Sequence, residues 1–418
     1  MKRYFAALAL VLGAAPLQAH PPVSSPSLVF LPPDSIISDL LAQSPDVRRA
    51  GAMLNSAQAE ARARQAGPHE FTFHGEYHSR ATNLDGRLNE WALGVSRGIR
   101  LPGKADADEN IGRYTIAVAQ NGYGDARHQT ATLLKELWLG WVLAEGDANL
   151  AKNEIATYER QLAATQRARQ LGQAAALEVE QLQAALAQAR VQAAQAEQAR
   201  RDMRMTLGRS FPTLALPLAA PAMPDPAAPP GNWDDWRAAV LDDNHEVKLA
   251  RSEADRRVWL ARRAHLDQLA DPTLDLRTFS DMGGHETGFG VGFSIPLGGA
   301  LRQASADQAS AEAAAASVSA HKIQRDVEIA ADRDVINAQQ GLEAWRQAEL
   351  AAQSSKAVIA RMQKAYELGD QGLMELLIAR RQDYDMRRSE AHARGSAHSA
   401  VLQLLIDSHR IWGLSDEE

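Results

Sequence analysis

His69, His74 and His78 fall within one short stretch of this 418-residue sequence, and closely spaced imidazoles are the first groups to test for metal chemistry. His74 and His78 would share one face of a strand, but four residues in a strand span about 13 Å. That is too far to chelate one ion, and a rim or loop position accounts for them better. The absence of cysteine removes thiolate nucleophiles, thiolate ligands and disulfide staples. No Ser/His/Asp order, phosphate loop or zinc spacing occurs in usable context. The sequence therefore assigns no catalytic residue, no cofactor and no metal ligand, and an enzyme is not expected. Carboxylates abound, mostly on segments so charged that they read as solvated faces. Two stand out by position: Glu178 and Glu375 each lie six residues beyond a glycine, Gly172 and Gly369, where a long helix must reverse. Read from the residues alone, such an acid stabilises a helix N-terminus, worth about 0.3–1 kcal/mol.

The elements that would position these residues are marked by proline. Between Gly103 and Phe211 there is none, and none follows Pro296. These two stretches, rich in Ala, Gln, Glu and Arg, predict long helices. Residues 103–168 alone would span about 100 Å. Two shorter helices, 34–66 and 176–208, match that length when laid end to end. Leu134, Leu137, Trp138, Trp141 and Val142 recur at helical spacing, and the alanine-rich run 174–199 allows close helix approach. A free coiled-coil stalk is the plainer reading of the same periodicity.

Ahead of this body, Lys2 and Arg3 precede the apolar stretch 4–15, and Leu17-Gln18-Ala19 offers a cleavage site. Residues 1–19 read as a secretory signal peptide. Residues 20–33 read as an extended segment and 211–231 as a proline-rich linker. The net charge of -7 gives no footprint for nucleic acid. No later stretch reaches the roughly 18 apolar residues of a membrane helix.

The two sides of the linker repeat each other. "SPDVRRA" (44–50) answers "NHEVKLA" (244–250), "GVSRGIRLPGK" (94–104) answers "GFSIPLGGA" (292–300), and "LGQAAALEV" (171–179) answers "LGDQGLMEL" (368–376). A period near 200 is a duplication. The repeats are 34–210, with strands near 69–79 and 89–101, and 232–418, with strands near 272–281 and 287–297. In the last strand Phe289, Val291, Phe293 and Ile295 alternate with Gly290, Gly292 and Ser294. Segments of about ten residues, apolar outward and small or polar inward, mark a transmembrane β-barrel. The first face would meet lipid and the second a lumen. Four strands cannot close a barrel, and an open edge is forbidden in lipid, so the barrel must be shared between chains. The alternative is a soluble sheet whose oily face packs on the helices.

The duplicated helix starts, the junctions "IRLPGK" and "IPLGGA" and the tips "LGQAAALEV" and "YELGDQGLMELL" resemble the TolC-like outer membrane efflux protein family, in its heavy-metal (CzcC-like) branch. The resemblance implies a mainly α fold with a small β part. A homotrimer would combine four strands per chain into a twelve-stranded outer membrane β-barrel, continuing into a helical periplasmic tunnel. It implies a passive exit duct in a Gram-negative outer membrane, partnered by a periplasmic adaptor at the turns Gly172 and Gly369 and powered by an inner-membrane pump. Divalent metal ions would be the cargo. By motif position Glu178, Glu375 and Tyr366 match the constriction and gate. A second acidic position falls on Ile378 and a gate arginine on Gln371, so the closed-state network departs from the family pattern. Export of drugs or of a secreted protein is the alternative within the class, and a soluble periplasmic scaffold the alternative outside it.

Overall fold

The computed structural model describes residues 28–83, 86–242 and 244–414. The signal-peptide segment 1–19, and residues 20–27 of the segment after it, lie outside them. The first half runs α1 (Asp34–Gln43), α2 (Pro45–Ala66), β1 (Thr72–Thr82), β2 (Gly86–Gly98), α3 (Lys104–Gln170) and α4 (Ala176–Ser210). The second runs α5 (Trp233–Asp242), α6 (His245–Leu266), β3 (Thr273–Asp281), β4 (Glu286–Ser294), α7 (Ala300–Glu367) and α8 (Leu373–Asp407). The single helix expected over 34–66 is two. Pro45 bars its predecessor from helical geometry, and Ser44 sits at ψ 138. The second half breaks at the matching place, where the Asn244 side chain accepts from the Val247 N–H at 3.0 Å.

The strands also differ from expectation. β1 starts and ends later than 69–79, and β2 starts and ends earlier than 89–101. The two strands stay paired as far as Thr82 opposite Gly86, and Gly86 takes φ 72. β4 ends at Ser294, so Ile295 lies just beyond the strand, although its side chain is exposed. Pro296 follows, and a proline cannot donate to a ladder.

α3 holds 67 residues and α7 holds 68, each about 100 Å long. α2 packs along the sheet-proximal part of α3, where Gly112 meets Ala61, and α4 along the rest, where Gly140 faces Met203. α6 and α8 flank α7 in the same way. The main core lies where the halves meet midway along the helices. There Leu134, Trp138 and Trp141 of α3 join Leu207 of α4, Leu342 of α7 and Leu402 and Leu405 of α8. Phe30 reaches into this core and meets the His398 ring edge-on, so the end of segment 20–33 is anchored. The linker is pinned too. Phe211 and Leu214 are buried, and Met223 and Pro224 carbonyls accept from Arg394 and His398. A smaller cluster of Tyr158, Leu182, Leu186, Leu373 and Leu376 lies toward the far end.

Trp141 is fully buried, edge-on to Trp138 with ring centroids 5.3 Å apart. Trp141→Ala should destabilise the helical body by about 3–5 kcal/mol. Thermal unfolding followed by helical circular dichroism in detergent checks this, and an unchanged midpoint would contradict the placement of the core.

Candidate functional site: sheet faces, junction and tips

The four strands form one antiparallel sheet in the order β1-β2-β3-β4. Directly paired residues share a face, so the register fixes both faces. One carries Phe73 and Tyr77 of β1, Trp91, Leu93 and Val95 of β2, Leu274 and Leu276 of β3, and Phe289, Val291 and Phe293 of β4. All ten are exposed, Phe293 at 78%. The helices do not cover this face, which removes the soluble-sheet alternative. The opposite face carries Gly290, Gly292 and Ser294 with His74, Glu76, Gly94, Asp275, Arg277 and Phe279.

That second face is not bare, as the glycines alone imply. Gly94, Gly288 and Gly290 each seat a large side chain from a neighbouring strand. A Cβ on Gly94 would lie 2.2 Å from His74 Nε2, and one on Gly288 2.3 Å from the Phe279 ring; one on Gly290 would crowd Arg277. His74 so placed reaches Asp275 at 3.2 Å. His78 lies 3.6 Å from Glu76, so the two histidines pair with different carboxylates, in keeping with their separation along the strand. Among the described residues no group of three or more His, Asp or Glu is placed to hold a metal ion.

Below the sheet the two halves are tied by a buried ionic knot. Lys104 is 1% exposed, and its Nζ donates to Asp271 Oδ1 at 2.8 Å and the Leu269 carbonyl at 2.7 Å, with Asp267 at 3.1 Å. His69 Nε2 lies 2.8 Å from Asp271 Oδ2, and the Leu101 N–H donates to Oδ1 at 3.0 Å. Burial alone would raise the Asp271 pKa. The lysine, the histidine and the Leu101 N–H outweigh it and hold the group at about 2. Beside it, Asp108 of α3 accepts from Arg100 at 3.3 Å and from Arg263 of α6 at 3.0 Å. His69, singled out as a possible ligand, is thus a member of this knot. The sequence reading missed Lys104 and Asp271. The signal was present, because Lys104 opens α3 and a cation at a helix N-terminus opposes the dipole. An unfavourable charge in that position implies a partner elsewhere.

At the far end the two turns share one geometry. Gly172 has φ 76 and Gly369 φ 78. Gln173 donates back to Ala168 at 2.8 Å and Asp370 to Ala365 at 2.9 Å, the reach of a Schellman motif that glycine permits. Glu178 and Glu375 both occupy the third position of the helix that follows. The Glu375 carboxylate folds back over Gly372, with Oε2 2.6 Å from where a Cβ would stand, as a capping acid does. Tyr366 is half-buried and packs against the apolar cluster above the tip.

Residues 36–210 match the family described as outer membrane efflux protein. The whole chain superposes on three channel structures at low identity. They are CusC, described in terms of transmembrane channel formation (TM-score 0.76, 15% identity, covering 95% of this chain and 99% of that one), the Campylobacter jejuni CmeC outer membrane channel (0.77, 14%, 97% and 92%) and the open state of the Neisseria gonorrhoeae MtrE outer membrane channel (0.71, 16%, 92% and 90%). No curated protein matches the sequence. The chain has the fold of the outer membrane efflux channels.

Two outcomes follow from the faces and the knot. Phe293→Arg, on the apolar face, should impair membrane assembly, at about 2–4 kcal/mol near a bilayer midplane, whereas Ser294→Arg should assemble; equal heat-modifiability on gels would show the faces misassigned. Asp271 is held below its unfolded value of 3.8, so its stabilisation is complete above about pH 4 and is lost as pH falls toward 2, roughly 2 kcal/mol in all. Asp271→Asn should lower the melting midpoint at neutral pH and flatten its acid limb, and a variant whose acid limb matches wild type would remove the knot from the stability account.

Proposed function

We propose that three copies of this chain form a passive exit duct across a Gram-negative outer membrane, continuing as a helical tunnel through the periplasm. The observation that carries the reading is the sheet: a mostly apolar exposed face, with β1 and β4 as edges that pair with no further strand among the described residues. In lipid those edges must be paired, and copies of the chain supply the partners. Four strands from each of three chains give twelve, an even number above the bacterial minimum of eight. A second observation agrees with self-association. Val318, Ile329, Ile336, Leu350 and Val358 of α7 are exposed, at spacings that keep them near one side of the helix. The family match over 36–210 supports the efflux role.

The chain carries no nucleotide motif, so an inner-membrane pump supplies the energy and a periplasmic adaptor engages the tips around Gly172 and Gly369. Heavy-metal cations are the cargo we favour, on the resemblance of the junction and tip motifs. Glu178 and Glu375 then surround the mouth of the tunnel with Tyr366 packed behind them, and a ring of one charge sign concentrates cations there. Capping the helix start and charging the mouth are compatible roles, since a carboxylate folded over a helix N-terminus keeps its charge.

Two measurements test this. Cross-linking or native mass spectrometry in detergent should show three chains, and a stable membrane-inserted monomer would overturn the shared barrel. In single-channel recordings the double change Glu178→Gln with Glu375→Gln should weaken cation preference and block by multivalent cations, leaving the trimer intact. Unchanged selectivity in an assembled pore would leave the two acids as helix caps only, at about 0.3–1 kcal/mol each.

A further inference from the structure

The helical body holds a second polar cluster that neither the barrel nor the tips use. It lies where α3 of the first half meets α7 and α8 of the second. Asp334 of α7 and Asp407 of α8 line one cavity at this seam, close enough for each carboxyl to act on the other. Two carboxylates can share a hydrogen bond only if one of them carries a proton. Asp407 is the member held ionised: His128 Nε2 of α3 lies 2.7 Å from its Oδ1, and Gln403 donates to both oxygens at 2.7 and 2.9 Å. Asp334 is left as the acid, with its Oδ2 buried and without a hydrogen-bond partner. Lys135 of α3, 4% exposed, donates to Gln403 Oε1 and completes the link across the seam.

The surrounding charges come from every packed element. α3 contributes Asp125, His128, Lys135 and Glu136, and α7 adds Arg333. α6 contributes Glu246 and His245, and His409 beyond α8 lies against the rings of His128 and His245. A cavity of about 290 Å³ lined by His128, Asn244, Glu246, Asp334, Gln403 and Asp407 lies beside the pair, giving water and protons a route to it.

We propose that the proton shared by Asp334 and Asp407 is a latch on the seam between the two halves, closed while one carboxyl is neutral and loosened when both ionise. The direction follows from the surroundings. Burial, then the hydrogen bond and the charge of Asp407, push Asp334 up to about 8 from its ordinary value of 3.8, against the pull of Lys135 and Arg333. A group raised on folding stabilises most below its unfolded pKa, and that stabilisation is lost as pH rises through the folded value. The seam is therefore firm in acid and neutral surroundings and loosens on the alkaline side. Beyond about pH 8 the two neighbouring negative charges hold α7 and α8 under repulsion. The far end of this helix pair carries Gly369 in its turn and Glu375 at the start of α8, so play at the seam reaches the tip along the two helices.

The test is the pH profile of the full-length protein in detergent. From about pH 7 to about pH 9 the wild-type melting midpoint should fall by about 3 °C. Asp334→Asn keeps the shape and supplies a donor that does not titrate, so its midpoint should stay level over the same range. Parallel profiles for the two proteins would overturn the latch. If Asp334→Asn fails to fold, infrared difference spectra of the wild type decide instead. A protonated-carboxyl band present at neutral pH and lost on titration through about 8 supports the shared proton, and a spectrum without that loss refutes it.

Discussion

The structure depends on a lysine ammonium buried where a helix begins. Lys104 stands at the start of α3, where the helix dipole repels it, and it is held by Asp271 and the Leu269 carbonyl of the other half. Removing one partner from such a buried pair leaves an uncompensated charge, a loss of several kcal/mol. The knot also sets geometry. Asp271 receives the Leu101 N–H, and Ile99 donates to the Pro272 carbonyl at 2.8 Å, so the chain leaving β2 and the chain entering β3 run side by side in one register. From that register follow the two faces of the sheet, one apolar and exposed, the other carrying the glycines and the paired His74 and Asp275.

Polar anchors recur along the long axis, alternating with apolar packing. Below the knot come the paired carboxyls of Asp334 and Asp407 beside His128, then the tryptophan-rich core around Trp138 and Trp141. Nearer the tip Glu154, Asp383 and Arg387 meet across α3 and α8, with Arg387 2.8 Å from Asp383. Helices built of alanine, glutamine and charged residues slide past one another easily, because small side chains give shallow ridges. Sparse ion pairs between the halves fix the axial setting that the alanines leave undetermined.

Much of this was legible in the residues. Proline-free runs gave the long helices, and alternation in "GFGVGFSIPLGG" gave an apolar strand face that the register bears out at Phe289, Val291 and Phe293. What the sequence hid was anything set by contacts between the halves. Gly94 and Gly288 look like empty wall until a neighbouring strand places His74 and Phe279 over them. His69 looks like a ligand until Asp271, some two hundred residues on, takes it. Strand ends were displaced because hairpin turns follow backbone geometry at Gly86 and Met282-Gly283-Gly284 more than side-chain polarity. The break at Ser44 is legible in Pro45 itself, although the helical pattern on both sides of it masks the signal.

The sheet joins the two halves through one pairing, β2 with β3, and its partners stand far apart in the chain: Gly98 opposite Thr273, Trp91 opposite Ser280. Such contacts are slow to form, since a long loop must close before any of them rewards it. The first hairpin is synthesised before its neighbour, with its aromatic side uncovered and one edge open to any passing strand. Until the second hairpin arrives the wall is half-built and sticky. An escort that shields Phe73, Tyr77 and Trp91 until the second hairpin arrives would act at the stage where this molecule is most exposed to aggregation.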